Sequence, residues 1–260
     1  MFGVSGRRRD LLLQLAPLAV VALLWEALGA AGIVPENRLP PPTHVLGGLG
    51  ELVARGLPPG SSLFGHCTAS LRRVFAGVGA ALAIGIPLGL LMGRSPRLRT
   101  LAHPFVELTR PIPPLAWVPL AILWFGIGDL SAVFIIFLGA FFPILLNTVA
   151  GVLSIDRGLV ESAVILGATK RDLFFKVLAP GATPAIMTGV RIAVGVGWMT
   201  LVAAEFTGVR SGYGLGYMIM TARDIQRADQ IVAGMLVIGL IGFAMDSLIR
   251  IGERRLLRWR

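Results

Sequence analysis

The segment 156–184 contains a carboxylate and a glycine whose spacing constrains both its local structure and its chemistry. Glu161 lies near the start of a helical pattern, Gly158–Leu166, where a negative charge interacts favourably with the helix dipole and can pair with a basic residue. Gly167 then interrupts the pattern with the residue that best accepts a left-handed bend. The chemistry expected of this segment is recognition through a bent helix rather than catalysis.

A second helix is expected directly after this bend. Thr169 and Asp172 have the three-residue spacing of a capping box, in which each side chain binds a free backbone N–H at a helix start. Phe174 and Phe175 follow on this helix, and Pro180 is predicted to end it because proline lacks an N–H donor. The segment should therefore present two aromatic rings on an otherwise charged loop.

Residues that commonly catalyse reactions or bind metals are sparse. His44, His66 and His103 lack ligand spacing, and Cys67 is the single cysteine, so no intramolecular disulfide can form. No Gly-x-x-x-x-Gly-Lys-Ser/Thr phosphate loop occurs. We predict no catalytic residue, no metal site and no ATP site of that type, and we interpret the histidines as loop or interfacial residues.

The composition indicates which elements position these residues. The chain is 55% hydrophobic and 15% charged, with a mean hydropathy of +0.79, whereas soluble domains are about a quarter charged. The net charge of +10 comes from arginines that flank apolar segments, which favours a membrane-topology signal over nucleic-acid binding. The prediction is an all-α polytopic membrane protein.

The apolar pattern predicts six transmembrane helices in one domain, residues 1–260. It consists of a first span at about 11–30, a Pro- and Gly-rich connector at 32–65, and a five-span transport core at about 70–250 that contains the 156–184 loop. A secretory signal is the alternative for 11–30, but the apolar run is long for a signal core. The core spans are expected near residues 74–92, 110–128, 132–152, 186–206 and 231–249.

Several local features refine this prediction. Small residues at four-residue intervals in the second span indicate close helix packing: Gly77, Ala81, Gly85, Gly89 and Gly93. Leu39–Thr43 is expected to be extended because of its prolines. The proline-rich start of the third span, 110–119, is tolerable only beside other protein or a water-filled cavity. Arg72 and Arg73 are expected at the outer membrane edge with their charges reaching water.

Orientation follows from the basic residues. An inside N-terminus places fifteen arginines and lysines in inner segments and five to seven in outer ones, as the positive-inside rule requires. Both termini, the basic loop 93–104 and the 156–184 segment are then cytoplasmic.

The 156–184 segment resembles the EAA signature of ABC importer permeases. The resemblance rests on Glu161-Ser162-Ala163, Gly167, Val177 and Pro180, with departures at Ser162 and Ala179 from the usual alanine and leucine. The prolines at 39–43, the run 110–128 and the Gly214-Leu215-Gly216 turn are similar to permeases of the nitrate, sulfonate and taurine type. A merely amphipathic loop on the membrane surface is the alternative.

The resemblance implies a type I ABC importer-like transmembrane domain whose 156–184 loop is a cytoplasmic coupling helix. It implies a second permease copy, two ABC ATPase subunits that bind the ATP and magnesium, an extracytoplasmic solute-binding protein, and the bacterial cytoplasmic membrane as the location. This chain would be a non-enzymatic transport subunit contacting lipid. The residues expected to contact the ATPase are Glu161, Ser162, Ala163, Gly167, Ala168, Thr169, Phe174, Phe175, Val177 and Pro180.

The solute is expected to be a small anion such as nitrate, a sulfonate or taurine, with a pyrimidine vitamin precursor as the alternative. Candidate pathway residues are Pro113, Trp117, Asn147, Thr148 and Thr200. A secondary carrier or channel without an ATPase is the rival class, and it would need an embedded acid: only Glu26, Glu205 and Asp246 could serve.

Overall fold

Helices make up the structure, a computed structural model that describes residues 4–32, 34–58, 60–206 and 212–256, with the backbone alone at 4–15 and 18. No strand occurs in these ranges, which confirms the all-α prediction. Arg210, Arg258 and Arg260, which were counted for orientation, lie outside them. The α-helices are α1 (Val4–Ala30), α2 (Pro42–Ala54), α3 (Leu63–Arg94), α4 (Pro96–Thr109), α5 (Val118–Phe125), α6 (Asp129–Leu153), α7 (Arg157–Ile165), α8 (Lys170–Asp172), α9 (Ala179–Phe206), α10 (Leu215–Asp224) and α11 (Ala228–Leu256).

Within the described residues, four helical segments are long and apolar enough to cross a membrane: Leu63–Arg94, Asp129–Leu153, Lys170–Phe206 and Ala228–Leu256. Shorter apolar helices, Ala19–Ala30 and Pro114–Phe125, lie within the predicted first and third spans. The helix in the predicted third span is short because the prolines of this segment allow only a 3₁₀ turn, Pro114–Trp117, before α5. The count of six spans stays a prediction.

Two segments that were expected to be non-helical are helical in part. The prediction of an extended 39–43 segment is wrong from Pro42 onward, since Pro42 occupies the first turn of α2, where a missing N–H costs nothing. The basic loop predicted at 93–104 is helical from Pro96, because the Ser95 hydroxyl accepts the Leu98 N–H at 3.3 Å and caps α4.

The described residues fall into two compact units, of which the first comprises residues 1–65 and 218–238. In this unit the Glu26 carboxylate accepts hydrogen bonds from the Thr43 N–H at 3.1 Å and the Thr43 hydroxyl at 2.8 Å, at the start of α2. Arg227 donates to Asp229 at 2.7 Å and to Glu51 at 2.8 Å. These hydrogen bonds, chiefly the one to Asp229, raise the pKa of Arg227, which keeps its charge.

The second unit, residues 66–217 and 239–260, contains the extensively packed pair α6 and α9. The small-residue stripe of α3 packs on α6 as predicted: a Cβ built on Gly89 would lie 2.6 Å from the Thr148 Cβ, and one on Gly93 would lie 2.5 Å from the Val152 Cβ. Backbone approach this close requires glycine. The stripe thus positions α3 beside the helix that leads into the 156–184 segment.

Candidate functional site

The predicted bend between two helices is present in the 156–184 segment. Asp156 caps α7 by accepting the Gly158 N–H at 2.7 Å. Gly167 ends this helix with φ +85°, and the Ala168 N–H donates back to the Ala163 carbonyl at 3.0 Å. The left-handed backbone at Gly167 explains why glycine suits this position.

The predicted capping box also forms. The Asp172 N–H donates to the Thr169 hydroxyl at 3.1 Å, and the Thr169 N–H donates to the Asp172 carboxylate at 3.2 Å. Lys176 lies 2.6 Å from Asp172, one turn later. The start of the second helix is therefore fixed by its own sequence.

The prediction that Pro180 ends this second helix is wrong. The backbone continues from α8 through a π turn, Leu173–Leu178, directly into α9, and the Ala179 N–H donates to the Phe174 carbonyl five residues back. In this π turn the backbone hydrogen bonds join residues five apart instead of four, and the change lies immediately before Pro180, which has no N–H to donate. The segment and the following span consequently form one continuous helical rod, Lys170–Phe206.

The two aromatic rings have different environments. Phe174 is half-buried and packs against Leu90, Val152 and Leu178, with the Arg94 guanidinium 5.7 Å from its ring centroid. Phe175 is 61% exposed. Phe174 thus attaches the segment to helices of its own chain, and Phe175 is the ring that remains on the surface.

Exposed aliphatic residues surround the bend. Ile165 and Leu166 are 85% and 87% exposed, and Leu159 and Val164 are also exposed. Sequence reasoning missed Ile165 and Leu166, although a run of three aliphatics directly before a glycine was a visible signal. Of the other predicted contact residues, Glu161, Ser162, Gly167, Thr169 and Pro180 are exposed, and Ala163, Ala168 and Val177 are partly exposed.

The candidate pathway residues separate into two groups. Trp117 and Asn147 line a cleft of about 500 Å³ with Arg110 and several aromatic rings, and Pro114 rather than the predicted Pro113 is among its lining residues. Thr148 and Thr200 are buried, and their hydroxyls donate to backbone carbonyls of their own helices at 2.7 and 3.0 Å. Of the five candidate pathway residues, Trp117 and Asn147 are the two that line this cleft together, and the role of all five in a pathway stays a prediction.

A buried charged network connects α3, α6, α9 and the Gly214–Gly216 turn. Arg73 is 1% exposed, lies 2.5 Å from the Glu205 carboxylate and 2.7 Å from Asp129, and donates to the Tyr213 carbonyl. Glu205, fully buried, also accepts from the Ser70 hydroxyl at 2.8 Å and the Gly216 N–H at 2.8 Å. The expectation that Arg73 reaches water is wrong, because two carboxylates neutralise it inside the protein.

His66 belongs to the same region. It is fully buried, and its Nδ1 lies 2.9 Å from the Gly214 carbonyl and 3.0 Å from the Gly214 nitrogen. Its interpretation as an interfacial or loop residue is therefore wrong. Across the described residues no group of three or more histidine, cysteine, aspartate and glutamate side chains could hold a metal ion.

The three embedded acids that a carrier would need each have partners. Glu26 binds Thr43, Glu205 binds Arg73, and Asp246 lies 3.0 Å from Arg191 and also pairs with Arg250. Each of these carboxylates therefore connects two helices: α1 to α2 through Glu26, α3 to α9 through Glu205, and α9 to α11 through Asp246.

Comparison with known proteins identifies the family to which these features correspond. Residues 85–258 match the family described as binding-protein-dependent transport system inner membrane component. The taurine transport system permease protein TauC of Escherichia coli is 38% identical over 254 residues, covering 96% of this chain and 90% of that protein. The bicarbonate transport system permease protein CmpB of Synechocystis sp. is 34% identical, covering 92% of this chain and 86% of that protein.

The fold has a counterpart among solved structures. A chain of the MetNI methionine ABC transporter, in inward-facing conformations, superposes with a TM-score of 0.63, covering 74% of this chain and 93% of its own. At 22% identity this similarity concerns the fold alone.

Proposed function

The chain belongs to the family of binding-protein-dependent transport system inner membrane components, and we propose that it is the permease subunit of an ATP-driven importer that couples to a separate ABC ATPase through residues 156–184. The observation that carries this proposal is the exposed aliphatic surface around the Gly167 bend. In the orientation predicted from the arginine and lysine counts, this surface faces the cytoplasm. Leu159, Val164, Ile165, Leu166 and Phe175 are large apolar side chains exposed on this segment, and contact with a soluble partner would bury them.

The proposed assembly contains two copies of this chain, two ATPase subunits and an extracytoplasmic binding protein. The described residues of one chain contain four helical segments that are long and apolar enough to span a membrane. Four such helices are too few to enclose a path for a solute on their own. The cleft lined by Trp117 and Asn147 is formed by residues of the second unit alone. A second copy would complete that cleft as a pathway.

The proposed solute is a small anion. TauC and CmpB are named for taurine and bicarbonate, both of which carry an anionic oxygen group. Arg110 beside the cleft supplies a positive charge at its predicted cytoplasmic end. Selection among anions would be set by the binding protein, since the cleft otherwise has mainly apolar and aromatic walls.

Co-purification tests the ATPase contact. Extracted wild-type protein should bring down an ABC ATPase, identified by mass spectrometry from peptides of its phosphate loop, whereas the variant Leu166→Ser with Phe175→Ser should lose it. Phe64→Ser is the matched control, because Phe64 is 77% exposed but lies on the predicted outer side. Wild-type protein without an ATPase, or an equal loss in the Phe64 control, would refute the proposal.

A second candidate, a carrier that needs no ATPase, requires an acid free to bind a cation or proton. Vesicles containing this chain alone should therefore show no taurine uptake driven by an ion gradient. Uptake under those conditions would favour the carrier over the importer.

A further inference from the structure

Two arginines without acidic partners share a cavity at the junction of α3 and α4. The cavity has a volume of about 580 Å³ and is lined by Leu91, Arg94, Ser95, Pro96, Arg97 and Leu98. Its lining contains no carboxylate, and within the described ranges neither Arg94 nor Arg97 forms an ion pair. Two guanidinium groups around one cavity favour a phosphate ligand, which they bind with good geometry.

We propose that this cavity binds the phosphate of an anionic phospholipid from the cytoplasmic leaflet. The positive-inside count places the α3–α4 junction on the cytoplasmic side, where basic pockets beside membrane helices meet anionic headgroups. The Ser95 hydroxyl is engaged in capping α4, so the arginines supply the anion contacts.

An apolar stripe on α4 begins at the cavity and distinguishes a lipid from a soluble phosphate. Leu101, Phe105 and Leu108 follow Arg97 at steps of four, four and three residues, and they are 70%, 72% and 74% exposed. They therefore share the helix face that starts at Arg97. The stripe extends the cavity with a surface suited to acyl chains.

The adjacent face of α4, about 100° around the helix, is the one that packs on the protein's core. Leu98, Ala102 and Val106 pack against the buried residues Met92, Leu145 and Val149. From Arg97 to Leu108 the stripe is about 16 Å long at the helical rise, close to half of the roughly 30 Å hydrocarbon core of a bilayer. A headgroup at Arg97 with chains along this stripe would fit one leaflet.

Arg94 connects the lipid site to the 156–184 segment. Its guanidinium lies 5.7 Å from the centroid of the Phe174 ring, at cation–π distance. The same side chain can face the phosphate from one side and the ring from the other. A bound lipid would thus hold Arg94 against the segment proposed to contact the ATPase.

Native mass spectrometry of the purified full chain tests the proposal with phosphatidylglycerol as the probe and phosphatidylcholine as the uncharged comparison. Arg94→Gln with Arg97→Gln should weaken phosphatidylglycerol binding by about tenfold or more. The control, Arg254→Gln with Arg255→Gln, removes two exposed arginines of the same predicted side and should leave this binding unchanged. Equal binding by the wild type and the Arg94/Arg97 variant would overturn the proposal.

A second arm separates a lipid from free phosphate. Leu101→Ala with Phe105→Ala should reduce phosphatidylglycerol binding and leave any binding of inorganic phosphate unchanged. If inorganic phosphate displaces the lipid fully and the stripe variant binds lipid as the wild type does, the ligand is free phosphate and the lipid proposal is wrong. A disulfide cross-link between two copies of the variant Phe105→Cys with Cys67→Ser would show that a second copy covers the stripe, and it would also refute the proposal.

These measurements require neither an ATPase nor a solute. Their failure would leave the proposed transport function standing, and loss of ATPase co-purification would leave the lipid site standing.

Discussion

Arg73 and Glu205 form the most deeply enclosed ion pair among the described residues, at positions where the sequence suggested a membrane edge. Each charge compensates the other, and Ser70, Asp129 and the Gly216 N–H supply further hydrogen-bonding groups. Such a pair is costly to separate, because a single remaining charge would be buried without its counterion.

Replacement of Arg73 with alanine should therefore destabilise the protein strongly. We expect a loss of roughly 3–5 kcal/mol in the free energy of unfolding, measured by denaturant unfolding in detergent. Arg73→Met with Glu205→Gln, which removes both charges, should recover part of this loss. A stability of Arg73→Ala within about 0.5 kcal/mol of wild type would contradict the assignment of a structural ion pair.

The sequence could predict some of these residues but not their pairing. The small-residue stripe from Gly77 to Gly93 has a helical period that identifies its packing role directly. Arg73 and Glu205, by contrast, are 132 residues apart. Local hydropathy reports the cost of burying each charge and carries no information about a distant partner that offsets it.

At the scale of the elements, the bend at Gly167 can be tested directly by substitution. Gly167→Val should reduce ATP-dependent uptake and ATPase co-purification several-fold, because a β-branched residue is strained at φ +85°. No atom lies within 4 Å of a Cβ built there, so the effect comes from the backbone and not from a clash. Uptake of radiolabelled taurine by vesicles containing the co-purified complex provides the measurement.

Gly167→Asn is the matched control, since asparagine accepts the left-handed conformation more readily. It should retain more uptake than Gly167→Val at equal membrane expression. Identical uptake by wild type and the valine variant would count against a role of this bend in coupling.

Elements were predictable where local rules decide the structure. The capping box at Thr169 and Asp172 and the break at Gly167 follow from side-chain chemistry within a few residues. The continuation through Pro180 was not predictable, because a π turn before the proline compensates for its missing donor. The start of α2 at Pro42 shows the related ambiguity that proline both interrupts helices and begins them.

For the whole molecule, the orientation can be tested with reporter fusions. Fusions within the 94–103 region, at position 166 and at the C-terminus should report a cytoplasmic location, and a fusion at position 215 should report the outside. The expectation rests on the excess of arginine and lysine in the inner segments. An external C-terminus would invert the topology and would remove both the coupling and the lipid proposals.

The unbroken helical rod from Lys170 to Phe206 also has a mechanical consequence. Its 37 residues extend about 55 Å, with the Phe175 surface near one end and Glu205 at the other. If the helix pivots as a rigid body about its Phe175 end, a rotation of about 5° moves the Glu205 end by about 5 Å. This displacement is twice the 2.5 Å distance between the Glu205 carboxylate and the Arg73 guanidinium. If this helix moves as a rigid body, a tilt of this size requires the Glu205–Arg73 ion pair to break, and we expect the strength of that pair to limit how readily the helix tilts.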